Sequence, residues 1–304
     1  MTIPARLCKD PLGLASLMIL VLLLAAGLLA PLIAPHDPLA VDAAHKFAGC
    51  SAEHWLGTDH LGRDLFSRLL FGVRTTLFLA LAIMLPTLVL ATLLGLTAGL
   101  VRSLPGALIL RLCDIMLAFP SSVLILAVVG MLGPGAGNIL LACLLAKWPW
   151  YTRMIATMAR QYADRNSVLW ARVAGLGTWH LVRRHLLPSV AGELCVLATL
   201  DTGAVILLIS GLSFLGLGVQ PPTPEWGMML SEARSVLAVA PWQMLPPGIM
   251  LLVVVAACSF LGDALRDCLD PRRGSSPDVR TDVRTDVGQN PERQDGHRDR
   301  RSGL

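Results

Sequence analysis

The sequence predicts an all-α membrane protein with about six transmembrane helices. Three observations carry that prediction. Of the 304 residues, 54% are hydrophobic, and the mean hydropathy is +0.64. The apolar residues gather in runs near the roughly 20 residues that a helix needs to cross hydrocarbon. Arginine concentrates in alternate segments between those runs, as it does where loops face the cytoplasm. The net charge of +4 is therefore a matter of topology and does not call for nucleic acid. Seven cysteines are scattered without a Cys-x-x-Cys pair, most of them in or beside apolar runs, so no structural disulfide is expected.

Residues 1–11 read as a cytoplasmic N-terminus and 12–273 as the transmembrane region. Arg6 and Lys9 precede an apolar run from Leu12 to Ile33. That run is too long for a signal-peptide core and lacks a small-residue cleavage site, so it is expected to stay as a first span. A polar outer loop follows over residues 35–73. Within it, Gly57 and Gly62 permit tight turns, and Asp59, Arg63, Asp64 and Arg68 can pair, Asp64 with Arg68 at i,i+4 spacing. The second span is expected over 75–101, kinked at Pro86. The third covers 112–132, with Asp114 near its inner end and Pro120 beyond. Gly133 to Gly137 is an uncharged outer turn. The fourth span, 138–158, holds Lys147 near its middle. A basic cytoplasmic loop, 159–190, comes next, reading as helix, break at Gly175, helix, and stop at Pro188. The fifth span, 192–217, carries Glu193 at its inner edge and Asp201 deeper. Prolines 221, 222 and 224 and glycines 216, 218 and 227 preclude a plain helix beyond it. An outer loop, 218–243, with an amphipathic piece near Met229 to Val236, leads to the sixth span, 244–261. Residues 274–304 contain the repeat Asp-Val-Arg-Thr and too few apolar groups to repay ordering entropy, which predicts a disordered cytoplasmic tail.

Three stretches carry a resemblance. Trp55 to Arg68 is similar to the Leu-Gly-Thr-Asp-x-x-Gly-Arg-Asp-x-x-Ser-Arg signature of dipeptide, oligopeptide and nickel permeases. Ser213 to Gly227 and Gly262 to Arg272 resemble the same family. The basic loop looks like the coupling loop of ABC-importer permeases, with Ala171, Gly175, His185, Leu187 and Pro188 on its register and Arg172 beside them. Leu169 and Trp170 depart from the usual opening Glu-Ala of that loop. The resemblance covers about residues 10–273 and is nearest to the C-type permease subunit of nickel importers. It implies the binding-protein-dependent ABC importer permease fold in a bacterial inner membrane, with both termini cytoplasmic. It also implies a homologous second permease subunit, two ATPase subunits, an external substrate-binding protein and surrounding lipid as partners.

The chain has no Gly-x-x-x-x-Gly-Lys-Ser/Thr stretch, no His-Glu-x-x-His and no Gly-x-Ser-x-Gly. It is expected to have no catalytic residue and no cofactor of its own, with ATP and Mg bound by the partner ATPases. Ionisable residues within spans are functional candidates. Asp201 lines the pathway or pairs with another helix. Lys147 is a pathway candidate as well, but a lone cation on a cation path would repel its cargo, which favours pairing or snorkelling. Asp114 is a further pathway candidate. The outer loop is rich in imidazole and carboxylate, from His36, Asp37, Asp42 and His45 to His54, Asp59 and His60. These groups suit nickel or zinc, with His54, Asp59 and His60 as the metal candidates, but their spacing matches no standard site, which favours a solvated loop over a metal site. Met228 and Met229 form either a soft surface patch or ordinary packing. The expected function is a permease for nickel or a nickel chelate. The alternatives are a dipeptide, oligopeptide or other metal-chelate permease, and, from another class, a stand-alone secondary transporter.

Overall fold

The computed structural model describes residues 10–100, 104–163, 170, 173–175 and 177–269. The first residues and the tail expected over 274–304 lie outside that set. Among the described residues every long element is a helix, and the only strand-like pairing is an isolated bridge between Thr58 and Asp64.

Helix α1 (Pro11–Ile33) starts where Asp10 accepts a hydrogen bond from the Leu12 amide, with a proline in the first turn. Leu12, Met18, Val21, Leu22, Leu28 and Leu32 stay exposed along it. In a membrane chain that is a lipid face, since hydrocarbon asks only that backbone groups be satisfied within the helix. Helix α2 (Leu65–Leu100) has 36 residues and runs unbroken through Pro86. At about 1.5 Å per residue it is some 54 Å long, well beyond the hydrocarbon thickness. Its first turns are accordingly packed inside the polar loop, ten residues earlier than the sequence placed the second span.

Helix α2 makes its most extensive packing with α5 (Ala136–Ala163). Gly95 and Gly99, four residues apart, make this possible. A Cβ on Gly95 would stand 2.7 Å from the Ile155 side chain, and one on Gly99 would stand 2.8 Å from Ala159. Small residues at this spacing let helix backbones approach in a membrane, where dispersion replaces the hydrophobic effect as the main attraction.

The third expected span is two helices. Helix α3 (Leu104–Leu117) and α4 (Ser121–Leu132) meet at 79° across a short break. The cause is Pro120, which has no amide hydrogen and drives Phe119 away from helical backbone angles. The fifth and sixth spans appear as α7 (Leu187–Phe214) and α9 (Leu245–Leu269). Between them, α8 (Trp226–Ser235) is the amphipathic piece. Met229 in α8 is 4% exposed and belongs to the core, so the soft surface patch does not form at that residue.

Among the described residues, four helices are long and apolar enough to cross a membrane, and the bent pair α3–α4 makes a fifth when counted as one span. Helix α5 has the length, 28 residues. Lys147, Arg153 and Arg160 lower its apolarity.

Candidate functional site

The bend between α3 and α4 opens a cavity of about 570 Å³ against α5 and α7. Phe119, Pro120 and Ser121 of the break form one wall. Lys147, Trp150 and Tyr151 of α5 face Leu197, Leu200 and Asp201 of α7. Two ionisable side chains from mid-helix positions meet there. Lys147 Nζ lies 2.8 Å from Asp201 Oδ1 and 2.7 Å from Oδ2. Tyr151 donates its hydroxyl to Asp201 Oδ2 at 2.8 Å. The carboxylate therefore has a cation and a hydroxyl donor, which offsets the cost of placing it among apolar helices. The pair is 19% and 23% exposed, so it is open to the cavity rather than sealed in the core. Lys147, expected as a pathway or pairing residue, thus has Asp201 as its partner. Tyr151 is a site residue that sequence reasoning passed over, although its spacing of one helical turn from Lys147 was available.

Asp114, the third pathway candidate, is not part of this group. It pairs with Arg153, joining α3 to α5 at an exposed position. Glu193 accepts from the Tyr162 hydroxyl and ties the end of α5 to the start of α7.

The outer-loop signature folds into a buried ionic lock. Gly62 has φ +77°, and a Cβ there would lie 1.7 Å from the Asp42 carbonyl oxygen; at Gly57, φ is +76° and the nearest oxygen, of Ala48, would be 2.5 Å away. Only glycine fits either turn. The tight loop turns Asp59 onto two arginines. Arg63 Nε donates to Asp59 Oδ2 at 2.6 Å, and Arg68 pairs with the same carboxylate. Both guanidinium groups also reach Glu232 of α8, Arg63 at 3.1 Å and Arg68 at 2.7 Å. Burial would raise the Asp59 pKa, but the charges of Arg68 and Arg63 and amide hydrogen bonds outweigh it and hold the carboxyl below its ordinary range. The expected Asp64–Arg68 pair does not form. Asp64 instead accepts the Ser67 amide at 2.8 Å, closing the first turn of α2, and meets His54 Nδ1 at 3.0 Å.

The three metal candidates consequently separate. Asp59 is committed to arginines. His60 lines a small gap beside Arg68, Glu232 and Gln243. His54 joins His36 and Asp64. Glu225 was also missed by the sequence reading. It is fully buried, caps α8 through the Met228 amide at 2.9 Å, and accepts hydroxyls from Thr76 and Ser210.

In the basic loop, Ala171 and Arg172 lie outside the described residues. Gly175 is exposed with φ +77°, which fits the expected break between helices. The chain resumes at α6 (Thr178–Leu181) and passes through a π-turn (Val182–Leu186), which contains His185, directly into α7. Pro188 therefore does not stop a helix. It sits in the first turn of α7, beside Leu187, after a wide turn that accommodates a residue without an amide hydrogen. Leu187 and Pro188 are exposed, while Leu181 and Leu186 are buried and anchor the segment.

Comparison with known proteins bears on this arrangement. Residues 91–275 match the family described as binding-protein-dependent transport system inner membrane component, and residues 4–49 match the N-terminal membrane domain of oligopeptide transport permease C. The metal-staphylopine import system permease of Staphylococcus aureus is 41% identical over 281 residues, covering 92% of this chain and 97% of that protein. The nickel transport system permease of Escherichia coli K12 is 41% identical over 256 residues, 84% of this chain and 92% of that one. A di/tripeptide permease of Pseudomonas aeruginosa is 42% identical over 266 residues, 86% and 88% respectively. With the bundle of apolar helices, these matches identify the chain as a multi-pass inner-membrane permease of the nickel and peptide family of ABC importers.

Proposed function

We propose that the chain is the translocation subunit of an ATP-driven importer for nickel carried as a chelate, and that the cargo passes the Lys147–Asp201 cavity. The single observation that carries this reading is the cavity itself. Its volume of about 570 Å³ suits a small organic molecule and far exceeds a bare ion. Lys147 and Asp201 neutralise each other, so the wall offers one donor and one acceptor of opposite charge without a net field. Such a wall suits a chelate bearing carboxylates and amines better than a naked dication. The metal-staphylopine and nickel permeases among the relatives support the same cargo class. The di/tripeptide permease keeps a zwitterionic peptide as the second reading, since a peptide presents the same two charges.

The translocation cycle in this proposal is conformational. The chain binds no ATP; two ATPase subunits on the cytoplasmic side bind it with Mg. The segment holding Ala171, Arg172, Gly175, His185, Leu187 and Pro188 seats on an ATPase and moves when ATP binding closes the pair. A homologous second permease subunit completes the pathway, and an external binding protein delivers the cargo. Both termini are cytoplasmic, and the loop with the ionic lock faces outside. Each step biases one of two bundle states by differential binding. Asp114 contributes to the inner part of the pathway once its exposed pair with Arg153 opens.

The test is uptake of radioactive nickel by cells lacking the gene and by cells with it restored, with excess dipeptide present as competitor. The proposal expects uptake to return with the gene and to ignore the peptide. Peptide-sensitive or absent nickel uptake would move the cargo to the second reading.

A further inference from the structure

We infer that His36, His54 and Asp64 form a binding site for a divalent first-row transition ion at the start of α2. The three come from different segments. His36 lies three residues beyond α1, His54 lies in the loop, and Asp64 precedes the first residue of α2. One ligand atom from each falls within 4.8 Å of the others. His54 Nδ1 is 3.0 Å from Asp64 Oδ1, His36 Nδ1 is 4.0 Å from Asp64 Oδ2, and the two imidazole centroids are 4.7 Å apart. A metal with ligands at about 2.1 Å holds neighbouring ligand atoms roughly 3–3.5 Å apart. The His54–Asp64 separation is within that range, and rotation of the His36 ring would bring its Nδ1, now 4.0 Å from Asp64 Oδ2, towards it.

Four features distinguish this group from an ordinary hydrogen-bonded cap. His36 Nδ1 is buried and has no hydrogen-bond partner, an expensive state for a ring nitrogen that a metal bond would relieve. The His36 backbone is already pinned beside the carboxylate, because its amide donates to Ser67 Oγ at 3.2 Å. Asp64 is fully buried and fixed by the Ser67 amide at 2.8 Å, so the anionic ligand is preorganised. Arg63, adjacent in sequence, is turned to Asp59 and Glu232 and does not neutralise Asp64. Two imidazoles and one carboxylate are a borderline-soft set that selects nickel, cobalt, zinc or copper over calcium or magnesium. The side chain of His36 is 34% exposed. A bound ion would tie the exit of α1 to the entrance of α2. The site does not depend on the identity of the cargo.

The experiment uses the assembled importer, purified without a polyhistidine tag, stripped with chelator and dialysed against cobalt(II). Cobalt content per complex and the visible ligand-field spectrum are read for the parent protein and for His36→Ala, His54→Ala and His60→Ala. His36→Ala is the decisive variant, because its Nδ1 makes no hydrogen bond whose loss could unfold the loop. The proposal expects one cobalt fewer per copy of this chain, and loss of its spectrum, in His36→Ala and His54→Ala, with His60→Ala unchanged. Equal cobalt in the parent and His36→Ala would overturn it, as would equal loss in His60→Ala. Nickel uptake plays no part in this measurement, so a peptide cargo would leave its result intact.

Discussion

Arg68 is 1% exposed and divides its guanidinium between Asp59 and Glu232. Removing it leaves buried Asp59 and half-buried Glu232 to share Arg63 as their one remaining cation in this group. We expect Arg68→Ala to cost about 3–5 kcal/mol, the range for breaking one side of a buried pair, seen as a lower Tm of the purified chain. Arg68→Lys should not rescue it, because one ammonium cannot reproduce a planar fork reaching two carboxylates. Asp59 adds a pH signature. Its folded pKa lies below the ordinary 3.8, so its contribution is complete above that value and is lost as pH falls through the depressed one. The Tm difference between the parent and Asp59→Asn should therefore stay constant from neutral pH down to about 4 and shrink only in stronger acid. A difference that already shrinks between pH 7 and 5 would contradict the ion-paired assignment. At this scale the sequence was partly legible. The clustering of Asp59, Arg63 and Arg68 and the need for Gly57 and Gly62 can be read from local spacing. Glu232 cannot, because it stands 169 residues from Arg63 and only tertiary folding brings it there. The choice of Asp59 over Asp64 as the partner of Arg68 was also hidden. Helical spacing favoured Asp64, but the start of α2 uses that carboxylate for its own first turn.

The most extensive contact between elements is the α2–α5 seam. Gly99→Leu would drive a side chain into Ala159 and the Ala156 carbonyl. We expect it to separate the helices at a cost of about 1–3 kcal/mol. Gly130→Leu in α4, where a Cβ meets nothing within 4 Å, serves as the matched control and should leave Tm unchanged. Helix existence was legible from apolar runs because hydrocarbon demands internally bonded backbone. Breaks were less so. Pro86, Pro120 and Pro188 look alike in sequence and behave differently. Pro86 is carried within a continuous helix, Pro120 divides α3 from α4, and Pro188 sits where a first turn needs no amide donor. The packing around each proline decides the outcome, and one sequence holds no record of it. The cavity depends on the Pro120 break, so it could not be foreseen even though Lys147 and Asp201 were singled out as ionisable groups inside spans.

For the molecule as a whole, the proposed cycle needs ATPase motion at one segment and cargo passage at the Lys147–Asp201 cavity. Gly175 lies in the segment proposed to receive that motion. Its φ of +77° penalises any side chain, although a Cβ there would touch nothing. Gly175→Val should therefore leave the chain in the membrane and the ATPases active while nickel uptake falls at least tenfold, as measured by parallel ATPase and uptake assays on the assembled importer. Uptake at the parental rate would remove this segment from the coupling path. Family membership was legible from contiguous phrases in the sequence, which survive without any structure. Cargo was not, because the cavity offers two opposite charges that a metal chelate and a peptide can both use. The most direct measurement is ATP-driven nickel-chelate uptake into vesicles holding the reconstituted importer, comparing the parent with Asp201→Asn and with the charge-balanced pair Lys147→Gln plus Asp201→Asn. The account predicts at least a tenfold loss of uptake in both, with the paired variant assembling at the parental level. Parental uptake by the paired variant would contradict it and reduce Lys147 and Asp201 to a helix-to-helix tie.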